Sequence, residues 1–317
     1  MSPADTLEPG TPRVRPEAIR AVPVRHPGRW VSAAIVVVVA AQLAHWFFTN
    51  DGIGFSTARH YLFDHSIVMG VGVTLKLTVI AMVMGVVIGI ALAVMRLSAN
   101  PILSGGAWLY IWFFRGTPVY VQLLFWYSLP NVVNRISLGI PFGPSWLPQD
   151  PKELVTALVA ACLGLGLNEG AYMAEIARAG ILSVDQGQDE AACALGMNRL
   201  QTMRRIILPQ AMKVIIPPTG NETISMLKTT SLAATITVAE TLGVAQRIYG
   251  RTLDVIPLLV TASIWYLFLT SVLSVGQYYL ERRYARGSLR NLPPTPRQKA
   301  IELVRNWQGA RARKAAL

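Results

Sequence analysis

Six stretches of this sequence are long and apolar enough to be predicted as membrane-spanning helices. A span needs about 20 mostly apolar residues, because the hydrocarbon core of a bilayer is about 30 Å thick. The chain is 52% hydrophobic and 15% charged, whereas soluble domains carry about 25% charge. The sequence therefore predicts an all-α, polytopic membrane protein. The predicted spans cover residues 31–48, 67–95, 117–133, 154–177, 214–236 and 256–280.

Two of these spans are weakly marked, since the third is short and the fifth is unusually polar. Residues 101–115, before the third span, crowd Trp, Tyr and Phe together and end on Arg115, a composition typical of the membrane–water interface. The first span could instead be a cleaved signal peptide. Its preceding tail is long for such a peptide, and its Trp-Phe-Phe ending favours a retained interface anchor.

The basic residues predict the orientation of the spans. With both termini in the cytoplasm, the cytoplasmic segments hold 22 Lys and Arg residues and the external segments hold 5. Cytoplasmic loops of membrane proteins carry an excess of such residues. The sequence therefore predicts both ends in the cytoplasm, and this distribution explains most of the net charge of +12 without a nucleic-acid partner.

The cytoplasmic segment 189–211 is predicted to fold as two short helices joined by a turn. Asp189 and Glu190 are placed near the N-terminal end of the first helix, where acids suit the helix dipole. Gly196 suits a left-handed turn, and Asn198 suits the cap of the second helix. A DNA-binding helix-turn-helix is disfavoured because spans flank the segment closely.

The second predicted helix of this segment is amphipathic. Leu200, Met203 and Ile207 recur at spacings of three and four residues, which places them on one face. A short amphipathic pair held at a membrane surface is suited to docking into a groove on another protein.

The same segment resembles the EAA loop of ABC importer permeases. Glu190-Ala191-Ala192 is followed by three residues and Gly196, then by nine residues, Ile206, one residue and Leu208-Pro209. Four other segments resemble the branch of that family that transports polar amino acids: histidine, glutamine, glutamate, arginine and opines. They are TLKLT at 74–78, FRGTPVYVQLLFWY at 114–127, AYMAEIARAGI at 171–181 and MLKTTSLAATI at 226–236.

The resemblance covers about 67–285 and implies a permease domain of five core spans, with an EAA loop at about 185–210. Span 31–48 is then an added N-terminal anchor, and residues 1–30 and 286–317 are basic cytoplasmic tails. The implied function is that of a permease subunit of an ATP-binding cassette importer, which carries polar amino acids or related compounds across the bacterial inner membrane. The chain is not expected to be an enzyme, because it lacks a phosphate-binding Walker A loop and ATP hydrolysis is implied for a separate subunit.

The implied partners are ABC ATPase subunits, a second permease subunit that is identical or homologous, an extracytoplasmic substrate-binding protein, the amino-acid substrate and membrane lipid. No cofactor, metal or nucleic acid is expected. The residues implied to couple the chain to the ATPase are Glu190, Ala191, Ala192, Gly196, Leu200, Met203, Ile206, Leu208 and Pro209.

Polar side chains within the predicted spans are candidates for the substrate pathway, because charge inside a bilayer is costly unless it faces a cavity or a partner. Acids there would bind an ammonium or guanidinium group, and a lysine would bind a carboxylate. Pairing of the charged candidates with one another, as a structural feature only, remains an open alternative. The candidates are Glu169, Asn221, Glu222, Lys228 and Ser231.

Two other classes of function are considered. An ion-gradient-driven carrier or channel could use the same intramembrane charges. A membrane enzyme would need a catalytic constellation, yet the four histidines lie in the N-terminal fifth of the chain without metal or triad spacing.

Overall fold

The computed structural model describes residues 27–133, 136–139 and 145–285, together with Ile301 and Arg305. The predicted basic tails therefore lie outside the described residues, apart from residues 27–30 and these two positions. Contacts divide the chain into two units, Met1–Ile53 and Gly54–Leu317. In the first unit, helix α1 (Pro27–Thr49) is followed by a 3-10 turn, Asp51–Ile53.

The second unit is a helical bundle, and its described elements follow one another along the chain. They are α2 (Phe55–Leu62), α3 (His65–Arg96), α4 (Pro101–Gly116), α5 (Val119–Val132), β1 (Ile136–Gly139), β2 (Ser145–Gln149), α6 (Pro151–Leu154), α7 (Ala157–Leu182), α8 (Gln186–Ala194), α9 (Arg199–Thr202), a π-helical segment (Met203–Ile207), α10 (Leu208–Thr229), a 3-10 segment (Thr230–Ile236), α11 (Thr241–Thr252) and α12 (Val255–Ala285). The strands β1 and β2 pair antiparallel, a small addition to the predicted all-α fold.

Four helices of the described chain are long and apolar enough to cross a membrane. They are Gly28–Thr49, His65–Arg96, Ala157–Leu182 and Val255–Tyr284, and they correspond to four of the six predicted spans. The third predicted span is only the 14-residue helix α5, which is too short alone. The fifth corresponds to α10 and the following 3-10 segment, which are too polar to qualify by composition.

Helices α4 and α5 lie end to end along α7. In α4, the Tyr110 hydroxyl donates to the Leu167 carbonyl of α7 at 2.9 Å. In α5, Leu123 packs against Gly164 of α7, where a methyl group on the glycine would come within 2.8 Å of Leu123 Cδ2. Residues 101–115 therefore form a helix that packs against α7 along one side and exposes Trp108 and Trp112. Their interfacial position stays a prediction.

The break between α4 and α5 falls at Thr117 and Pro118. Thr117 is extended (φ −110°, ψ 141°), as expected for a residue that precedes a proline. The carbonyls freed by the break accept side-chain hydrogen bonds. The Gln122 amide donates to the carbonyls of Phe114 (3.0 Å) and Thr117 (3.1 Å). From α7, the Asn168 amide donates to the Phe114 carbonyl at 2.7 Å.

The centre of the bundle is the crossing of α3 and α7, where glycines of each helix receive side chains of the other. A methyl group on Gly89 of α3 would come within 2.5 Å of Met173 Cβ, and one on Gly170 of α7 within 2.7 Å of Ile88 Cγ2. Small residues at spacings of four allow two membrane helices to approach closely. Here Gly85 and Gly89 face one pair of α7 turns, and Gly166 and Gly170 face the corresponding turns of α3.

Candidate functional site

The segment between α7 and α10, here called the insert (residues 183–207), has the predicted helix-turn-helix form. Helix α8 ends in a Schellman motif: the Met197 amide donates to the Ala192 carbonyl at 3.1 Å and the Gly196 amide to the Cys193 carbonyl at 3.0 Å. Gly196 has a φ of +71°, a backbone conformation that glycine adopts without strain. The predicted left-handed turn at Gly196 is therefore confirmed.

The predicted cap of the second helix is also confirmed. The Gln201 amide donates to Asn198 Oδ1 at 2.9 Å, and the Asn198 amide donates to Gln201 Oε1 at 3.0 Å. These two hydrogen bonds form a capping box. After one turn, α9 passes into the π-helical segment Met203–Ile207, which the sequence reading missed. Pro209 then lies at the start of α10, directly after the π-helical segment.

The tip of the insert exposes apolar side chains. Leu195 is 80% exposed and Leu200 is 76% exposed, on either side of the Gly196 turn. Met203 and Ile207, predicted to share the face of Leu200, are instead half-buried because the π-helical segment packs against α8 and α10. The exposed apolar surface is therefore the turn itself, and the predicted three-residue stripe is corrected.

The Glu-Ala-Ala residues occupy the middle of α8. Glu190 and Ala191 are exposed, whereas Ala192 is fully buried. Glu190 is the fifth residue of α8, and only Asp189 lies in the first turn. Because the dipole effect falls off within the first turn, the predicted dipole role of Glu190 is corrected: it belongs to Asp189, and Glu190 presents a carboxylate to the surroundings.

The base of the insert is held tightly between α7 and α10. A methyl group on Gly180 of α7 would come within 2.9 Å of Ile215 Cδ1 and 3.3 Å of the Ala211 carbonyl oxygen. The Gln210 amide of α10 also donates to Gln188 Oε1 of α8 at 3.3 Å. The two helices that flank the insert therefore pack closely against each other. Ile206 is half-buried and Leu208 is exposed at this base.

Two predicted pathway residues are brought together in the bundle. Glu169 of α7 is only 3% exposed and packs where α3 presents Gly85. Its Oε1 atom is buried without a hydrogen-bond partner among the described residues. Glu222 of α10 is half-buried and lies within electrostatic range of Glu169. Buried polar atoms are nearly always hydrogen-bonded, so an unpartnered carboxylate oxygen here calls for a functional explanation.

The other pathway candidates have hydrogen-bond partners or exposure of their own. Asn221 Oδ1 accepts a hydrogen bond from Gln277 of α12 at 2.8 Å. Lys228 is exposed, and the Ser231 hydroxyl donates to the Lys228 carbonyl at 2.7 Å. Within the described part of the chain, the one ion pair joins Arg178 to Glu175 at 2.8 Å. The predicted alternative, in which Glu169, Glu222 and Lys228 neutralise one another, is therefore not found among these residues.

A third charged residue, Arg115, lies near the pathway pair and was not predicted from the sequence. Arg115 ends α4 with its guanidinium carbon 5.2 Å from the centre of the Tyr172 ring. It lies within electrostatic range of both Glu222 and Glu175. The signal was present in the sequence, because Arg115 directly precedes the Gly-Thr-Pro break, but the aromatic residues around it favoured an interfacial assignment.

A buried polar cluster around Glu240, which lies outside the predicted spans, was also missed. Glu240 is fully buried at the start of α11. It accepts hydrogen bonds from the Thr74 hydroxyl of α3 (3.2 Å), the Gly243 amide (2.7 Å) and the Tyr266 hydroxyl of α12. The Thr241 amide donates to Thr74 Oγ1 at 3.1 Å. The cluster ties three helices together, and the sequence contained no cap signal for it, because Glu is not among the preferred N-cap residues.

The described helices form a bundle in which the insert, a capped helix-turn-helix segment, joins two tightly packed helices. This arrangement is that of the membrane subunits of binding-protein-dependent importers. Residues 85–286 match the family described as the inner membrane component of binding-protein-dependent transport systems. The arginine transport system permease protein ArgU of Corynebacterium glutamicum is 50% identical over 300 residues, which cover 92% of this chain and 90% of that protein. The nopaline transport system permease protein NocM of Agrobacterium fabrum is 38% identical over 205 residues, which cover 63% of this chain and 80% of that protein.

Solved structures agree with these sequence relatives. The crystal structure of an amino acid ABC transporter with histidines has a TM-score of 0.57 at 36% identity and covers 69% of this chain and 94% of that chain. The inward-facing MetNI methionine ABC transporter has a TM-score of 0.55 at 20% identity, covering 69% and 96%, and supports the fold alone.

The chain therefore belongs to the family of inner membrane components of binding-protein-dependent transport systems, in its polar amino-acid branch. This membership confirms the predicted ABC importer permease and the multi-pass inner-membrane location. It makes the chain a transport subunit rather than an enzyme, with ATPase and substrate-binding protein partners in general. It does not favour the ion-gradient carrier.

Proposed function

We propose that the chain transports a cationic amino acid, with Glu222 and Glu169 supplying the negative potential that attracts it. The observation that carries the proposal is the pair of carboxylates on α10 and α7, which approach one another without an ion pair to either among the described residues. Half-buried Glu222 can meet a guanidinium or ammonium group directly. Burial and the nearby acid make a charge on Glu169 costly, and a bound cation would offset that cost. The 50% identical relative is named an arginine permease, which supports this substrate class.

A polar face on α10 supports the proposal that a second permease subunit is present. Asn221, Ser225 and Lys228 are exposed and recur at spacings of four and three residues, so they lie along one side of the helix. Lipid does not tolerate such a face in a span. We propose that it lines the passage against a second permease subunit, identical or homologous, with Ser231 continuing it beyond the helix.

The insert is proposed to face the cytoplasm and to contact the ATPase. Its exposed leucines give an apolar contact, and its sequence has the EAA spacing. The surplus of Lys and Arg in the segments assigned to the cytoplasm supports this orientation, with both termini on the same side.

Substitutions of the two acids test the substrate proposal. We expect Glu222→Gln and Glu169→Gln to lower ATP-driven uptake of L-arginine into proteoliposomes by about tenfold or more, the size expected from loss of a charged hydrogen bond. Glu153→Gln, an exposed acid on α6, is the matched control. Wild-type uptake by both pathway variants would contradict the proposal, and uptake that persists without the ATPase would favour an ion-gradient carrier.

Thiol labelling tests the orientation. In a variant without Cys162 and Cys193, single cysteines at Gln188 of α8 and Ser56 of α2, both exposed positions, should react with membrane-impermeant reagents from opposite sides. We expect Gln188→Cys to react only from the cytoplasm, since the reversed pattern would place basic segments outside. Labelling of Gln188→Cys from outside intact cells would show that the orientation is wrong.

A further inference from the structure

A hollow with a volume of about 510 Å³ lies between α4 and α7, on the side of Glu169 that leads toward the insert. Its lining combines aromatic and charged side chains. They include Arg96, Trp108, Trp112, Arg115, Tyr172 and Glu175. Volumes of about 300–1,000 Å³ are typical of small-molecule sites, so the hollow is large enough for an amino acid.

The charges in the hollow leave positive groups without a bonded acid. Glu175 forms its ion pair with Arg178 at 2.8 Å. Arg96 donates only to the neutral Ser104 hydroxyl at 2.9 Å, and Arg115 lies over the Tyr172 ring. Neither Arg96 nor Arg115 has a carboxylate within ion-pair distance in the described part of the chain. A guanidinium in this position is available to bind a carboxylate through two parallel hydrogen bonds.

The hollow also presents surfaces suited to a cation. Trp108 and Trp112 are stacked, with ring centres 6.2 Å apart and an angle of 15°, and they are 51% and 60% exposed. Exposed faces of tryptophan attract ammonium and guanidinium groups. The hollow therefore offers a guanidinium for a carboxylate and tryptophan faces for a cation, whereas an anionic lipid headgroup would use only the first of these.

The hollow and the pathway residues share Arg115 as a neighbour. Arg115 lies within electrostatic range of Glu222 on one side and of Glu175 on the other. Six residues of α7 separate Glu169 from Glu175, which corresponds to about 9 Å along the helix. From Glu175, the helix continues to its end at Leu182, where the insert begins.

We propose that this hollow is a second binding site for the transported amino acid, in which Arg115 binds the α-carboxylate and the tryptophan pair receives the cationic end. The proposal rests on the proposed function, because it assumes a substrate with both charges. The substrate would occupy the hollow after leaving Glu222, on its way toward the side of the membrane that carries the insert.

The reporter for this site is a cysteine at Gly116. This glycine lines the hollow, and a side chain there would meet no other atom within 4 Å. In the assembled complex, without Cys162 and Cys193, we expect L-arginine to slow the thiol labelling of Gly116→Cys. Adding Arg115→Gln should weaken this protection by about tenfold or more, as for the loss of a charge-assisted pair. Arg59→Gln, an exposed arginine of α2, is the control and should leave the protection unchanged.

The outcomes separate this inference from the proposed function. Uptake lost in Glu222→Gln, with protection and uptake intact in Arg115→Gln, would overturn the second site and leave the proposed substrate standing. Protection by vesicles rich in phosphatidylglycerol, with none by L-arginine, would overturn it in favour of a lipid headgroup. Protection by L-arginine that disappears in Arg115→Gln supports it.

Discussion

Replacing Gly89 with leucine is expected to prevent the permease from folding in the membrane. The Cβ of the new side chain would occupy space already filled by Met173 Cβ (2.5 Å) and the Ala174 amide nitrogen (2.9 Å). Neither neighbour can rotate away, because one is a Cβ and the other is backbone. Overpacking a well-packed interior costs about 1–3 kcal/mol even where side chains can adjust, so we expect a larger cost here. The yield of monodisperse protein after detergent extraction measures the effect.

Gly72 provides the matched control for this prediction. It lies on the same helix, α3, but a methyl group there would meet nothing within 4 Å. Gly72→Leu should therefore extract and transport like the unchanged chain. If Gly89→Leu gave the same yield as Gly72→Leu, the close approach of α3 and α7 would be wrong.

Replacing Gly196 with valine is expected to uncouple the permease from ATP hydrolysis while leaving the bundle folded. A β-branched residue at a φ of +71° is strained by about 1–3 kcal/mol. No neighbour lies within 4 Å of the added carbon, so the strain falls on the turn alone. The turn should reopen and displace Leu195 and Leu200. ATPase pull-down and substrate-stimulated hydrolysis in reconstituted membranes measure the loss, which we expect to be nearly complete.

Gly196→Asn is the informative companion, because asparagine tolerates the left-handed conformation. It should retain most of the coupling. Glu190→Lys should also weaken docking, since it reverses an exposed charge in the middle of α8. Full coupling in both Gly196→Val and Glu190→Lys would show that the insert does not contact the ATPase.

The sequence predicts the long apolar helices well. The span predicted at 67–95 is α3 (His65–Arg96), and the span predicted at 256–280 is α12 (Val255–Ala285). Their continuous apolar character identifies them whichever neighbours they have. The pairing of α4 with α5 could not be predicted in this way, because apolar and aromatic residues look alike whether they face lipid, an interface or another helix.

The candidate site likewise contains features that the sequence predicts and features that it does not. The turn at Gly196 and the cap at Asn198 depend on local backbone geometry, so their residue types and spacing predict them. The π-helical segment could not be predicted, because it adds one residue to a turn without changing the residue types. The approach of Glu169 to Glu222, and of Arg115 to Glu222 and Glu175, depends on how three helices pack, and no local pattern encodes that packing.

The π-helical segment Met203–Ile207 has a mechanical consequence for the insert. A π turn contains one residue more than an α turn over the same stretch. Conversion of this turn to α-helical geometry would release that residue, turning the insert by about 100° around the axis of α10 and lengthening the connection by about 1.5 Å. A displacement of the insert along the axis of α10 would therefore be coupled to a rotation of the insert about that axis.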